Sequence, residues 1–431
     1  MKKFAAIMLA SVMAVGTLAG CGSSSSKDNS GNNSGNGGSA VEESQDTTSG
    51  KSGKITIFQN KTEIYDNLVE LAKVYKEETG VDVEIWQISG DDYYQSLKTY
   101  MSSESGPSIF TVESATEIAE MQAYMEDLGS LSVIAKENKD LVAKNDAGAI
   151  IGIPTTAEGF GLVYNKNLIK PDEINSMDDL TALIASNASD GIATVGLSQE
   201  DYFLIGHILN TPFALQSDPA DFCNKVYNGE VNIADVSEFK QFGQLFEAIR
   251  ANQQNPLEVT YDSSVGNLAT GKTASIHQGN WVYGMFADYE LDFDLGLMGL
   301  PINGNKKIAV GVPAVWAVNA DADDNEKALA KDFLDWLYTS ETGKDYILNK
   351  FGFIPVVDGM TSDKLDPISQ AVSDAITNDN IIPWTFNESW PAGVVSTYLK
   401  ANAEEFFSNS SMTTDEFLRA LNDSFVQAAN E

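Results

Sequence analysis

From Lys54 onward the apolar positions change period several times in a short span. Ile55 and Ile57 alternate with polar neighbours up to Phe58, the pattern of a half-buried strand. Ile64, Leu68, Leu71, Ala72 and Tyr75 then recur at helical spacing until Gly80 stops them. Val81, Val83 and Ile85 alternate again. Tyr94, Leu97 and Met101 predict a second amphipathic helix ending near Gly106-Pro107, and Ser108 to Val112 predicts a third strand. Strands joined by crossover helices of this length predict a parallel sheet covered on both faces, with right-handed connections. In such sheets ligands sit beyond the carboxyl ends of the strands. Gln59, Asn60, Lys61 and Glu63 follow the first strand, Ser89 to Asp92 the second, and Glu113 and Ser114 the third. All can hydrogen-bond, as a hydroxylated ligand requires, although Asp91, Asp92, Ser114 and Thr116 suit helix capping equally well.

A different pattern follows from Ile151 to Lys166, where Gly152, Gly159 and Gly161 stand among extended apolar residues. Such a stretch can absorb dihedral change while still pairing as a strand, so it is a candidate hinge crossing. Farther on, Leu329, Phe333 and Leu337 form a core-facing helical stripe that includes Trp336. Thr413 with Glu416 forms a capping box ahead of Phe417, Leu421 and Phe425. Asp321, Asp323, Asp324 and Asn325 resemble part of a calcium loop, but Glu326 stands where that loop needs glycine, so the segment is read as helix capping.

The 431 residues are too many for one core and predict two domains, built from interleaved segments. With 62 acidic against 27 basic side chains the net charge is -35, which excludes nucleic-acid binding through a basic face and favours a neutral or cationic ligand. Two cysteines and two histidines allow no Cys/His metal cluster, and neither a cofactor nor a metal is expected. No Gly-x-Ser-x-Gly elbow occurs.

Residues 1–20 begin Met-Lys-Lys and continue as an apolar run too short to span a bilayer, which reads as an export signal. Leu18-Ala19-Gly20-Cys21 resembles the lipobox of bacterial lipoproteins. That resemblance implies lipidation of Cys21 and anchoring at the outer face of the cell membrane through lipid alone. Cys223 is then left without a partner and is read as a buried small apolar residue. In residues 22–53, 21 of 32 residues are Gly, Ser or Asn. A coil of that composition has a reach of about 30 Å and serves as a tether.

Several motifs together resemble the bacterial extracellular solute-binding proteins of carbohydrate ABC transporters, the family of the maltose-binding protein. They are Tyr164-Asn165-Lys166 after the glycine-rich crossing, Gly271 through Gly279-Asn280-Trp281, Gly311 to Val318, and Ala328 through Trp336-Leu337 followed by Ser340-Glu341-Thr342-Gly343. The resemblance covers about residues 54–431. It implies an α/β, two-lobed periplasmic-binding-protein-like (type II) fold with hinge crossings and a ligand cleft between the lobes. Lobe I would comprise 54–157 and 312–352, and lobe II 158–311 and 353–431. It also implies a non-enzymatic, monomeric protein that closes on an oligosaccharide and is read by ABC permease subunits. The first-lobe segment looks closer to binders of the raffinose and multiple-sugar type than to the maltose type, leaving raffinose-type α-galactosides, isomalto- and malto-oligosaccharides as the expected ligands.

A pyranose needs a flat apolar platform beside polar groups, and the six tryptophans can be sorted on that basis. Trp336, Trp86 and Trp316 have core patterns. Trp281, at a strand end after Gly279-Asn280, matches the stacking tryptophan of the maltose-binding relative. Trp390, in the irregular stretch with Trp384, and Tyr202, preferred over its neighbour Phe203, fall where that relative presents further aromatics. Glu158 falls on an acidic position of the family at the crossing, and Glu113 close to another. The predicted binding set is Trp281, Trp390, Glu158, Glu113, Asn60, Lys61, Tyr202 and Asn280. The first strand ends in Gln59-Asn60-Lys61 where the maltose-binding relative has an Asp-Lys pair, so sugar identity does not carry over. His207 and His277 are read as structural, although His277, near Trp281, could line the cleft. The competing reading is a surface glycoside hydrolase using paired carboxylates such as Glu113 and Glu158.

Overall fold

A computed structural model describes residues 53–431, apart from 89–91, 104–105, 136–140, 358–359 and 363. The expected signal peptide, the lipidated Cys21, the tether to residue 52 and the Ser89–Asp91 segment lie outside the described residues. Two sheets, each buried on both faces by apolar side chains, form two lobes.

The first sheet has the order β2-β1-β3-β10-β5-β4, with β1 Gly53–Gln59, β2 Val81–Gln87, β3 Ile109–Val112, β4 Ala143–Lys144, β5 Ile150–Pro154 and β10 Val315–Val318. β1 pairs in parallel with β2 and β3, as the strand–helix alternation predicts. Helix Tyr65–Thr79 is closed by Gly80 at φ 83°, a left-handed position that glycine occupies without steric cost. β10 runs antiparallel to β3 and β5, so the sheet is mixed rather than parallel throughout. The reason is the path of the chain: β10 enters directly from the other lobe instead of through a crossover helix.

The second sheet has the order β11-β9-β6-β7, with β8 also beside β6. Its strands are β6 Glu158–Asn165, β7 Ser275–Gly279, β8 Leu295–Met298, β9 Ile308–Gly311 and β11 Ile381–Pro383. β9 pairs with Glu158 to Phe160, and β8 with Leu162 to Asn165, along one edge of β6. Gly161 sits at the changeover, where an added Cβ would lie 2.2 Å from the Met298 carbonyl oxygen. Glycine is therefore required there for close backbone approach. Gly152 and Gly159 also approach their neighbours closely, an added Cβ lying 2.6 Å from the Val315 side chain and 2.8 Å from that of Val372 respectively.

The crossings are short. Thr155 to Ala157 connects β5 to β6, and Val312 to Ala314 connects β9 to β10. Thr155 donates its N–H and its hydroxyl to the Ala314 carbonyl, both at 3.0 Å. Thr156 Oγ1 accepts from Ile354 N at 3.0 Å and lies 3.1 Å from the Ile354 carbonyl, and Ala157 N donates to that carbonyl at 3.0 Å. A third passage is thus tied to the first two. Ile354 packs in the second lobe while Phe353, Val357 and Met360 pack in the first, so the expected division at 352/353 falls inside a segment stitched to both. The two predicted caps are formed, by Asp323 at helix Asp324–Thr339 and by Thr413 with Glu416 at helix Thr414–Ala428.

Candidate functional site

At the carboxyl end of β1 the chain turns sharply as Lys61 N donates to Gln59 Oε1 at 2.6 Å. This turn brings Asn60 onto Glu113, which follows β3, so that the Asn60 amide donates to the carboxylate. It also sends the Lys61 side chain across to the second lobe, where its ammonium lies 2.6 Å from Glu158 and 3.3 Å from Glu63. Glu158 is the first residue of β6, immediately after the crossing, and is 4% exposed. Four predicted residues, Asn60, Lys61, Glu113 and Glu158, therefore meet at the seam between the lobes. Burial is the largest single influence on Lys61 and opposes its charge, but the attraction of Glu158 and Glu63 outweighs it and raises the lysine above its ordinary value. Burial raises Glu113, against the Asn60 hydrogen bond, and raises Glu158, against the pull of Lys61.

The aromatic wall is built on one face of the second sheet. Phe160 on β6 is surrounded by His207, Trp384, Phe386, His277 and Trp281, at ring-centroid distances of 4.8, 5.3, 6.0, 5.7 and 6.4 Å. Trp281 is half-buried, and its indole folds back over Gly279, where a Cβ would lie 2.2 Å from the ring. This explains the Gly-x-Trp spacing: only glycine leaves room for the indole to lie on the strand end. Trp281 Nε1 donates to Gln278 Oε1 at 2.8 Å, which fixes the ring plane. Tyr202 is half-buried, 5.4 Å from His207 and 5.9 Å from Phe386.

Two predicted residues are placed elsewhere. Trp390 is 2% exposed and is enclosed in the second-lobe core by Phe213 and Phe425, with centroids at 5.1 and 4.9 Å. Its ring has no face left for a ligand; the irregular sequence around it conceals a core position. It touches the seam only through its carbonyl, which accepts from Thr116 Oγ1 of the first lobe at 3.2 Å. Asn280 is also buried and committed: its Oδ1 accepts from Gly159 N at 2.9 Å and its amide donates to Ser369 Oγ at 3.4 Å. It holds the β7 end against the crossing. Trp384, which the sequence places in the same stretch as Trp390, lies closer to the site, 6.4 Å from Trp281, but is 3% exposed.

His207 and His277, read from the sequence as structural with His277 also able to line the cleft, both stand in the aromatic wall. Burial depresses both, His207 well below its ordinary value and His277 to about 3 against the weak opposition of its own carbonyl. Both are neutral imidazoles at physiological pH. Phe203, which stands beside Tyr202 in the same aromatic region of the sequence, and Tyr261 extend the wall, with ring centroids 4.6 Å apart; Tyr261 was not singled out, because pattern alone does not distinguish it from a core aromatic. Ser114 and Glu117 form a capping box for helix Ala115–Met121, so Ser114 is a cap. Cys223 is a buried free thiol pushed up to about 12 by burial. Among the described residues no His, Cys, Asp and Glu group could hold a metal, and no helix is long and apolar enough to cross a membrane.

The family model described as bacterial extracellular solute-binding protein matches residues 59–344. The maltooligosaccharide ABC transporter solute-binding lipoprotein of Streptococcus pneumoniae (strain ATCC BAA-255 / R6) is 23% identical over 368 residues, covering 78% of this chain and 81% of that protein. Among solved structures, the solute-binding protein RafE in complex with raffinose aligns with a TM-score of 0.73 at 16% identity, over 87% of this chain and 99% of its own. A Bacillus licheniformis sugar transporter protein in complex with stachyose aligns at 0.71 and 16% identity, over 87% of this chain and 100% of its own. At these identities the structural likenesses establish the two-lobed type II fold.

Proposed function

From the fact that the chain belongs to the family of bacterial extracellular solute-binding proteins, we propose that it captures a neutral oligosaccharide between its lobes and delivers it to the permease subunits of an ABC importer. The observation that carries this reading is the half-buried Trp281 indole standing in the same seam as the half-buried Lys61 paired with the buried Glu158. A flat apolar surface beside fixed hydrogen-bonding charges is what a pyranose, with its C–H face and hydroxyl rim, requires. The ligand class is a raffinose-type α-galactoside or an isomalto- or malto-oligosaccharide. The maltooligosaccharide relative and the raffinose and stachyose complexes of structural neighbours support this choice. The body is held at the outer face of the membrane by lipid on Cys21, in line with the lipoprotein relative, and works as a monomer that breaks no bond in its ligand.

A thermal-shift screen of raffinose, stachyose, maltotriose and isomaltotriose tests this. A ligand that binds only the folded protein stabilises it by about 2.7 kcal/mol at one hundred times its Kd. At least one of the four is expected to raise the melting temperature without new reducing ends appearing. If none shifts it, or if cleavage accompanies the shift, the reading fails.

A further inference from the structure

Under the Trp281 ring the second lobe holds polar atoms to which no described residue supplies a hydrogen bond. They are Nδ1 of His207, both ring nitrogens of His277, Oη of Tyr261 and Oε2 of Glu200. His277 is 2% exposed and His207 8%. Buried polar groups in native proteins are almost always paired, so four neighbouring side chains with unpaired atoms call for an occupant. They are neighbours by geometry. His207 lies 5.3 Å from Trp281 and 5.7 Å from Phe203, Phe203 lies 4.6 Å from Tyr261, and Tyr261 N donates to the other Glu200 oxygen at 2.9 Å. His277 reaches the group through Phe160, which touches both histidines and Trp281.

The chemistry of the set restricts the occupant. A neutral imidazole offers one donor and one acceptor, a phenol offers both, and a carboxylate accepts. A hydroxyl group, donor and acceptor at once, matches such a set, whereas an aliphatic surface would leave every atom unpaired. The recess also faces the seam: Lys61 of the first lobe is near enough to act on His207, and Glu63 and Glu158 on Tyr261. We propose that His207, His277 and Tyr261 form a subsite in the second lobe that binds the hydroxyl groups of one ring of the captured saccharide, the ring stacked on Trp281. This rests on the sugar-binding reading and adds to it residues that select for hydroxyl pattern.

The test is calorimetric titration of raffinose, maltotriose and isomaltotriose into the protein and its Tyr261→Phe and His277→Leu variants, with the melting temperature of each variant measured without sugar. Removing an unpaired buried polar group does not destabilise the free protein, so the variants are expected to melt at or above the parent. Each is expected to bind the preferred trisaccharide about tenfold more weakly. A variant that keeps parental affinity within twofold while melting higher shows that water alone fills the recess, and overturns the subsite. A variant that melts lower and loses affinity in proportion to its unfolded fraction also overturns it, because the side chains then serve packing. His277→Gln, which retains a donor and an acceptor, separates the cases by recovering affinity only if hydrogen bonding to sugar is the role. If none of the three sugars binds the parent protein, the sugar reading itself falls, and the subsite with it.

Discussion

Gly279 and Trp281 act as one unit, since the indole occupies the space a side chain at 279 would need. A Gly279→Ala variant keeps every aromatic ring yet displaces the platform. Burying an aromatic surface contributes about 2 kcal/mol, or roughly thirtyfold in affinity. Gly279→Ala and Trp281→Ala are both expected to lose that much affinity for the sugar found in the thermal screen, measured by calorimetry. Parental affinity in Gly279→Ala would show that the indole position is immaterial. His277 makes a separate, pH-dependent contribution. Its folded value, about 3, lies below the 6.5 of the unfolded chain. Between those values the unfolded state binds the extra proton, so stability is fully present above pH 6.5 and falls as pH drops toward 3. At about 1.4 kcal/mol per pH unit, the histidine removes about 2 kcal/mol by pH 5. Urea titrations at pH 8 and pH 5 should show this loss in the parent and a smaller one in His277→Leu; equal losses would mean that the imidazole is solvated.

At the level of elements, the crossings depend on threonine side chains. Thr156 Oγ1 ties the β5–β6 crossing to Ile354, and Thr156→Val replaces the hydroxyl with a methyl of similar size, leaving Ile354 N buried and unpaired. The expected cost is about 2 kcal/mol, read as a lower urea midpoint at unchanged slope. An unchanged midpoint would show the tie to be dispensable. This Thr-Thr pair was not singled out in the sequence, because its partners lie some 160 and 200 positions away, at Ala314 and Ile354. Elements governed by local periodicity were legible: β1, helix Tyr65–Thr79 and β2 follow from alternating and helical spacing, and Gly80 from its left-handed turn. Antiparallel β10 was not, since strand direction depends on where the chain re-enters the lobe. The site divided in the same way. Lys61 and Asn60 follow from their place after a strand, and Glu158 and Trp281 from family motifs. Trp390 has the same irregular surroundings as a loop residue, and only packing against Phe213 and Phe425 reveals it as core.

Across the whole molecule, the lobes meet through the pair of half-buried Lys61 with buried Glu158 and through Thr116 to the Trp390 carbonyl. Removing one member of a buried ion pair costs about 3–5 kcal/mol when the survivor stays buried. A hinged protein has another course open to it, because swinging the lobes apart lets water reach the buried Glu158 without unfolding either core. Lys61→Met should therefore act chiefly on shape. Without sugar its radius of gyration, by small-angle scattering, is expected to exceed that of the parent, while saturating sugar draws it toward the compact value because the ligand binds the closed form more tightly. The melting temperature should fall by less than a 3 kcal/mol loss would produce. Identical scattering from the two proteins without sugar, together with a large drop in melting temperature, would show that the pair stabilises one rigid body and does not set the balance between open and closed lobes.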